Sequence, residues 1–140
     1  MKYVKRISAL VFLFVPLLAA AQMVPSERIV TQVPFQFVVG NAAVPAGECT
    51  VQLADAKGWI LTVGNRDAKL SVYTLATAGT SGQKAPVSAL VFHKYGNSYF
   101  LVGLKIQDTN SVYTFRESKL EKELRAQNVR SEDVLLASAK

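Results

Sequence analysis

His93 and Cys49 are the sole histidine and the sole cysteine of this 140-residue chain. With a thin scatter of carboxylates, they bound the chemistry the sequence can carry. A disulfide framework, or a metal site built from several His and Cys ligands, is excluded within one chain. A Ser-His-Asp apparatus needs three groups brought together, and no G-x-S-x-G elbow marks a nucleophile. His93 lies in the alternating run Leu90-Val91-Phe92-His93-Lys94-Tyr95, which reads as a strand and makes it a partly solvated sheet residue. The enzymatic alternative is a small secreted catalyst pairing His93 with a carboxylate. Glu48, Asp55, Asp67 and Asp108 stand isolated, without a D-x-D-x-D loop or an H-x-x-x-H pair, so no metal is expected. Gly79-Thr80-Ser81-Gly82-Gln83-Lys84 lacks the spacing of a phosphate-binding loop, and no cofactor is expected.

The aromatic residues offer a different kind of site. Phe92, Tyr95, Tyr99 and Phe100 crowd one segment, with Trp59 and Tyr73 in earlier ones. If Tyr95 and Tyr99 flank a turn on an exposed face, they form a small platform for a sugar, a peptide or another protein, with His93 and Trp59 as further candidate binding residues. The competing reading is cross-strand packing, which stabilises a sheet and binds nothing. Cys49, in Glu48-Cys49-Thr50-Val51, is expected to be a buried strand position; the alternative is a disulfide to a second chain.

The elements that must carry these residues are short and extended. Val33, Phe35, Phe37 and Val39 alternate with polar positions, and Pro34, lacking an N–H, puts the start of that strand at an edge. Gly40-Asn41 and Gly96-Asn97 are two-residue hairpin connections, and Pro45-Ala46-Gly47 is a turn. Residues 77–86 read as the longest irregular stretch, of a length often reserved for function. About seven strands at regular spacing, with no helical pattern between them, predict an all-β antiparallel sandwich or small barrel. Residues 116–140 differ: six basic and five acidic side chains fall within 25 positions. Ser118-Lys119-Leu120-Glu121 offers a capping box for a short C-terminal helix near residues 119–127, docking by a narrow Leu120/Leu124 stripe. A tail that frays unless Val134, Leu135 and Leu136 anchor it follows.

The first 21 residues read as a secretory leader: a positive start at Lys2, Lys5 and Arg6, an apolar run over residues 7–18, and Ala19-Ala20-Ala21 before Gln22. A spanning helix needs about 20 apolar residues. This run is shorter and contains Pro16, so cleavage after Ala21 and release into the periplasm or beyond are expected, with no integral membrane span afterwards. The organisation is then leader (1–21), β domain (22–115) and charged helix with tail (116–140). Without the leader, 13 basic residues face 10 acidic ones, reducing the net charge from +6 to +3. That balance, without a basic cluster interleaved with aromatics, argues against nucleic acid as partner. The strands are also too short for an outer-membrane barrel.

Pro34-Phe35-Gln36-Phe37-Val38-Val39-Gly40, Pro45-Ala46-Gly47 and the run from Leu90 to Leu101 resemble a family of short exported bacterial proteins. That family shares a P-F-x-F-x-V-G start, a P-A-G turn, an F-H-x-Y-G-x-x-Y-F hairpin and a charged C-terminal helix. The resemblance spans most of the chain after the leader, with Cys49 standing where the family pattern has Tyr. It implies export and a β-rich fold, and brings no chemistry to transfer. The expectation is a non-catalytic binding or structural component of the bacterial envelope, acting on an envelope protein or glycan through the hairpin face or residues 77–86. A self-assembling surface protein, joined through sheet edges or Cys49, is the remaining alternative.

Overall fold

The computed structural model describes residues 28–55, 57 and 60–138. The expected leader, its cleavage point and Trp59 lie outside the described residues. The fold is all-β with one short helix. Its strands are β1 (Arg28–Val33), β2 (Phe37–Val39), β3 (Ala42–Val44), β4 (Gly47–Leu53), β5 (Ile60–Asn65), β6 (Leu70–Thr80), β7 (Ala89–Tyr95), β8 (Ser98–Lys105), β9 (Ser111–Phe115) and β10 (Glu132–Ala137). The helix α1 (Lys119–Ala126) precedes β10.

The sheet runs β1-β4-β5-β6-β9-β8; one edge of β8 pairs β7 along its whole length, β10 following, and its other edge pairs β9 near its end and β2-β3 near its start. β6 makes the turn of the barrel. Its first half pairs β5 (Ile60 opposite Leu75) and its second half pairs β9 (Ala76 opposite Phe115), so one long strand serves two sheet segments. At the far ends, Ser138 Oγ donates to the Val30 carbonyl at 3.2 Å, drawing the end of β10 towards β1. An incompletely closed barrel results, with Val33, Phe37, Val51, Leu61, Val63, Leu90, Phe92 and Leu104 inside.

Period-two alternation produces this core: Ile29, Thr31 and Val33 of β1 point in, as do Cys49 and Val51 of β4 and Leu61 and Val63 of β5. Both predicted tight turns are present. Val39 pairs with Ala42 across Gly40-Asn41, and Tyr95 with Ser98 across Gly96-Asn97, with φ near +60° at both glycines. Gly47 has φ +146°, and a Cβ there would lie 2.5 Å from Asp67 Oδ2, a place only glycine fills without displacement.

Several expectations need correction. Among the described residues ten strands form where about seven were counted, partly because Pro34 divides the first run instead of starting it. The chain leaves β1 at Val33 and re-enters the sheet at Phe37, keeping its inward alternation while changing neighbours. β2 pairs β8 in parallel (Val38 opposite Phe100), a departure from a purely antiparallel sheet. Residues 77–80 belong to β6, which shortens the irregular stretch to residues 81–88. Of the two readings of the tail, the anchored one holds: β10, with Val134, Leu135 and Leu136, pairs β7 along its whole length, from Glu132 opposite Lys94 to Ala137 opposite Ala89. β10 is therefore a strand of the same sheet system as β7 and β8. Among the described residues no helix is long and apolar enough to cross a membrane.

Candidate functional site

Two places bring potentially functional side chains together: a closed polar cluster beneath α1 and an open groove beneath residues 81–88.

The cluster is built by β7, α1 and β10. His93 and Tyr95 alternate onto the same side of β7, and α1 lies over them with Glu121 facing inward. Glu121 is 2% exposed, while of the Leu120/Leu124 stripe expected to dock the helix, Leu120 is 47% exposed and Leu124 half-buried. The helix is anchored by its carboxylate. His93 Nδ1 lies 2.6 Å from Glu121 Oε1, and since a carboxylate only accepts, Nδ1 carries the proton. Tyr95 Oη donates to the same oxygen at 3.2 Å. Ser118 Oγ accepts from the Glu121 N–H at 3.1 Å, as a capping residue should, yet the glutamate side chain does not close the capping box. It is diverted to the histidine and the tyrosine instead. His93 Nε2, on the outer side, faces Asp133 of β10 at 3.6 Å, since Asp133 sits opposite His93 in the strand register.

Burial pushes the Tyr95 hydroxyl above its ordinary pKa. The Glu121 charge and hydrogen bond add to the rise, the Glu117 charge adds less, and a hydrogen bond with Ser131 works against it. Chemically, a carboxylate on Nδ1 holds one tautomer and leaves Nε2 to take a proton, the geometry of a general base. What meets that nitrogen is the Asp133 carboxylate, and His93 does not line the groove described next.

Tyr95 and Tyr99 do not form a platform. Tyr95 is 6% exposed and packs edge-on to Phe100, with ring centroids 5.6 Å apart. Tyr99 lies opposite Lys94, on the other face of the hairpin, stacked on Phe35 at 3.7 Å. The Lys94 ammonium sits 5.8 Å from the Tyr99 ring centre. Both tyrosines are packing residues here, one on each side of β7-β8. Cys49 is fully buried, and burial, followed by the nearby Asp67 charge, raises its thiol from 9.0 to about 11. Such a thiol is neither nucleophilic nor open to a second chain, which leaves sheet edges as the route to self-assembly. Among the described residues, no three His, Cys, Asp or Glu side chains gather into a metal-binding group.

The groove has a volume of about 540 Å³, within the usual range for small-ligand sites. Ala85, Pro86 and Val87 form one wall, Leu135 and Ala137 of β10 another, and Val112 of β9 contributes to the lining. Among the described residues, Lys84 and Lys105 are its charged lining residues. The wall formed by residues 81–88 is held at several points. Ser81 N–H donates to the Asn110 carbonyl (2.7 Å), Ala85 N–H to that of Thr109 (2.9 Å), and Asp108 N–H to that of Ala85 (2.9 Å). Gln107 N–H donates to Ser88 Oγ (2.9 Å), and Ser138 N–H to the Ser88 carbonyl (2.8 Å). Of the sequence-predicted sites, the structure thus brings His93 and Tyr95 together and separates Tyr99 from both. As groove residues, Leu135 and Lys105 escaped sequence reasoning: Leu135 read as an anchor of the tail, and Lys105 as an ordinary strand position.

No family model matches the chain, and neither the curated proteins nor the solved structures compared with it contain a match.

Proposed function

We propose that this protein is an exported, non-catalytic binding domain of the bacterial envelope, with its partner seated in the groove beneath residues 81–88. The observation that carries the reading is an open, aliphatic groove of about 540 Å³ whose loop wall is hydrogen-bonded at both ends. A preformed apolar recess loses little conformational entropy when it is filled. Among the described residues the lining has no aromatic ring on which a sugar would stack, so an aliphatic segment of an envelope protein suits it better than a glycan. The leader-like first 21 residues, and the resemblance to short exported bacterial proteins, support export. The polar residues that looked chemical support a structural role instead: Glu121 is spent on two hydrogen bonds, and Asp133 stands before the outer nitrogen of His93.

The test compares wild type, Val87→Asp and His93→Ala as baits in envelope fractions, with mass spectrometry of what each retains. The expected result is a partner common to wild type and His93→Ala and lost with Val87→Asp, which puts a charge in the groove. Retention by Val87→Asp, or loss with a folded His93→Ala, would refute the assignment.

A further inference from the structure

We infer that the outer face of β5-β6, together with the start of α1, docks on an anionic lipid bilayer surface. Strand register brings the apolar part together. Ile60 lies opposite Leu75, and Tyr73 is two residues earlier on the same side of β6. These are among the most exposed large apolar side chains of the described residues: Tyr73 at 71%, Leu75 at 53% and Ile60 at 38%. Isolated exposed apolar residues are ordinary, but an adjoining set on one face needs a partner.

The second observation is charge. Arg116 N–H donates to the Leu75 carbonyl at 3.0 Å, which fixes Arg116 beside that face. Lys119 and Lys122, one helical turn apart, line the same recess as Tyr73, Leu75 and Arg116. The acid in that recess, Glu117, is taken by Arg125 at 3.0 Å. Arg116, Lys119 and Lys122 are thus three cations without a carboxylate partner among the described residues. A cationic rim beside exposed aliphatic and tyrosine side chains fits the membrane interface, where rings and aliphatic chains sit among headgroups and ammonium groups meet phosphates. A soluble polyanion would use the cations and leave Leu75 and Ile60 in water, so the bilayer is the better occupant. This docking does not depend on the groove or on what fills it.

Vesicle co-sedimentation tests it, with phosphatidylglycerol mixed into phosphatidylcholine against phosphatidylcholine alone, and with the same chain carrying each set of substitutions. Wild type should bind the anionic vesicles and release them as salt rises. The triple variant Arg116→Gln, Lys119→Gln, Lys122→Gln should bind them about 100-fold more weakly. Tyr73→Ser with Leu75→Ser should weaken binding about tenfold while leaving circular dichroism unchanged. As an independent reading, Leu75→Cys carrying an environment-sensitive dye should shift to the blue on anionic vesicles; Cys49, being buried, leaves the new thiol as the labelling site. Wild-type affinity in either variant set, no shift of the dye, or binding to soluble dextran sulfate that matches vesicle binding and ignores the Tyr73/Leu75 change, would overturn the proposal.

Discussion

The interior and the groove of this protein divide their residue types in an unexpected way. Beneath α1 and inside the barrel lie the reactive kinds: a histidine between two carboxylates, a tyrosine on a shared carboxylate oxygen, and a thiol. The described lining of the groove beneath residues 81–88 is mostly alanine, valine, proline and leucine, with Ser81, Gly82, Gln83, Ser111 and two lysines beside them. Glu121, Tyr95 and Cys49 are buried and His93 is held at Nδ1 by Glu121, whereas the groove faces open space. A buried carboxylate must be partnered or it costs several kcal/mol, so Glu121 needs His93 and Tyr95 whatever else the protein does. An aliphatic recess carries no such obligation and is left for recognition.

Four measurements would sharpen or break that division. Glu121→Leu should have the largest effect, a loss of about 3 kcal/mol in urea unfolding, since it strips a partner from His93 and from Tyr95 together. The partial exposure of His93 lets water cover its ring and keeps the loss at the lower end of the usual range. If stability barely moved, the cluster would not be structural and the contrast would fail.

The thiol comes next. A group whose folded-state value is raised contributes stability that is intact below its unfolded value and lost as pH climbs through the folded one. Cys49 rises from 9.0 to about 11, so unfolding free energy should fall by about 2 to 3 kcal/mol between pH 9 and 11. Cys49→Ala should start lower at pH 8, for want of the buried sulfur, and then decline much less over that interval, the remainder coming from Tyr95. Tyr95→Phe should cost about 1 kcal/mol at neutral pH, one hydrogen bond to a charged acceptor. Because the Tyr95 hydroxyl is also raised, the same variant should lessen the decline above about pH 10. Smallest in stability is Leu135→Ser, expected within about 0.5 kcal/mol of wild type because Leu135 is already 56% exposed. It should nonetheless weaken capture of the groove's partner, and a large stability loss there would mark Leu135 as core.

Much of the fold was legible in advance. Alternation in β1, β4 and β5 predicts which side chains turn inward, and the two Gly-Asn pairs predict hairpins that are present. Local rules suffice there because a strand facing a core has a two-residue period and a tight turn has few residues that suit it. β10 was not legible as a strand: Val134, Leu135 and Leu136 follow a charged helix, and only pairing with β7 selects extended backbone for them. The Ser118/Glu121 spacing pointed correctly to the start of a helix, but no local signal told that the carboxylate would turn from its own backbone to His93, 28 residues earlier. The tyrosine platform failed for a related reason. Alternation puts Tyr95 and Tyr99 on opposite faces once Gly96-Asn97 sets the register, so they do not meet.

By itself, the chain's order of apolar, polar and turn residues determined an all-β architecture, the inward faces of its first strands and the absence of a disulfide framework, because each follows from neighbours a few positions apart. Only the tertiary structure decided which reactive groups are satisfied and which surfaces stay open. Those outcomes depend on residues far apart in the chain: Glu121 with His93, Leu135 with Val87, and Arg116 with Leu75. Distance and burial, not residue type, make a histidine a structural post and a row of alanines and valines a recess.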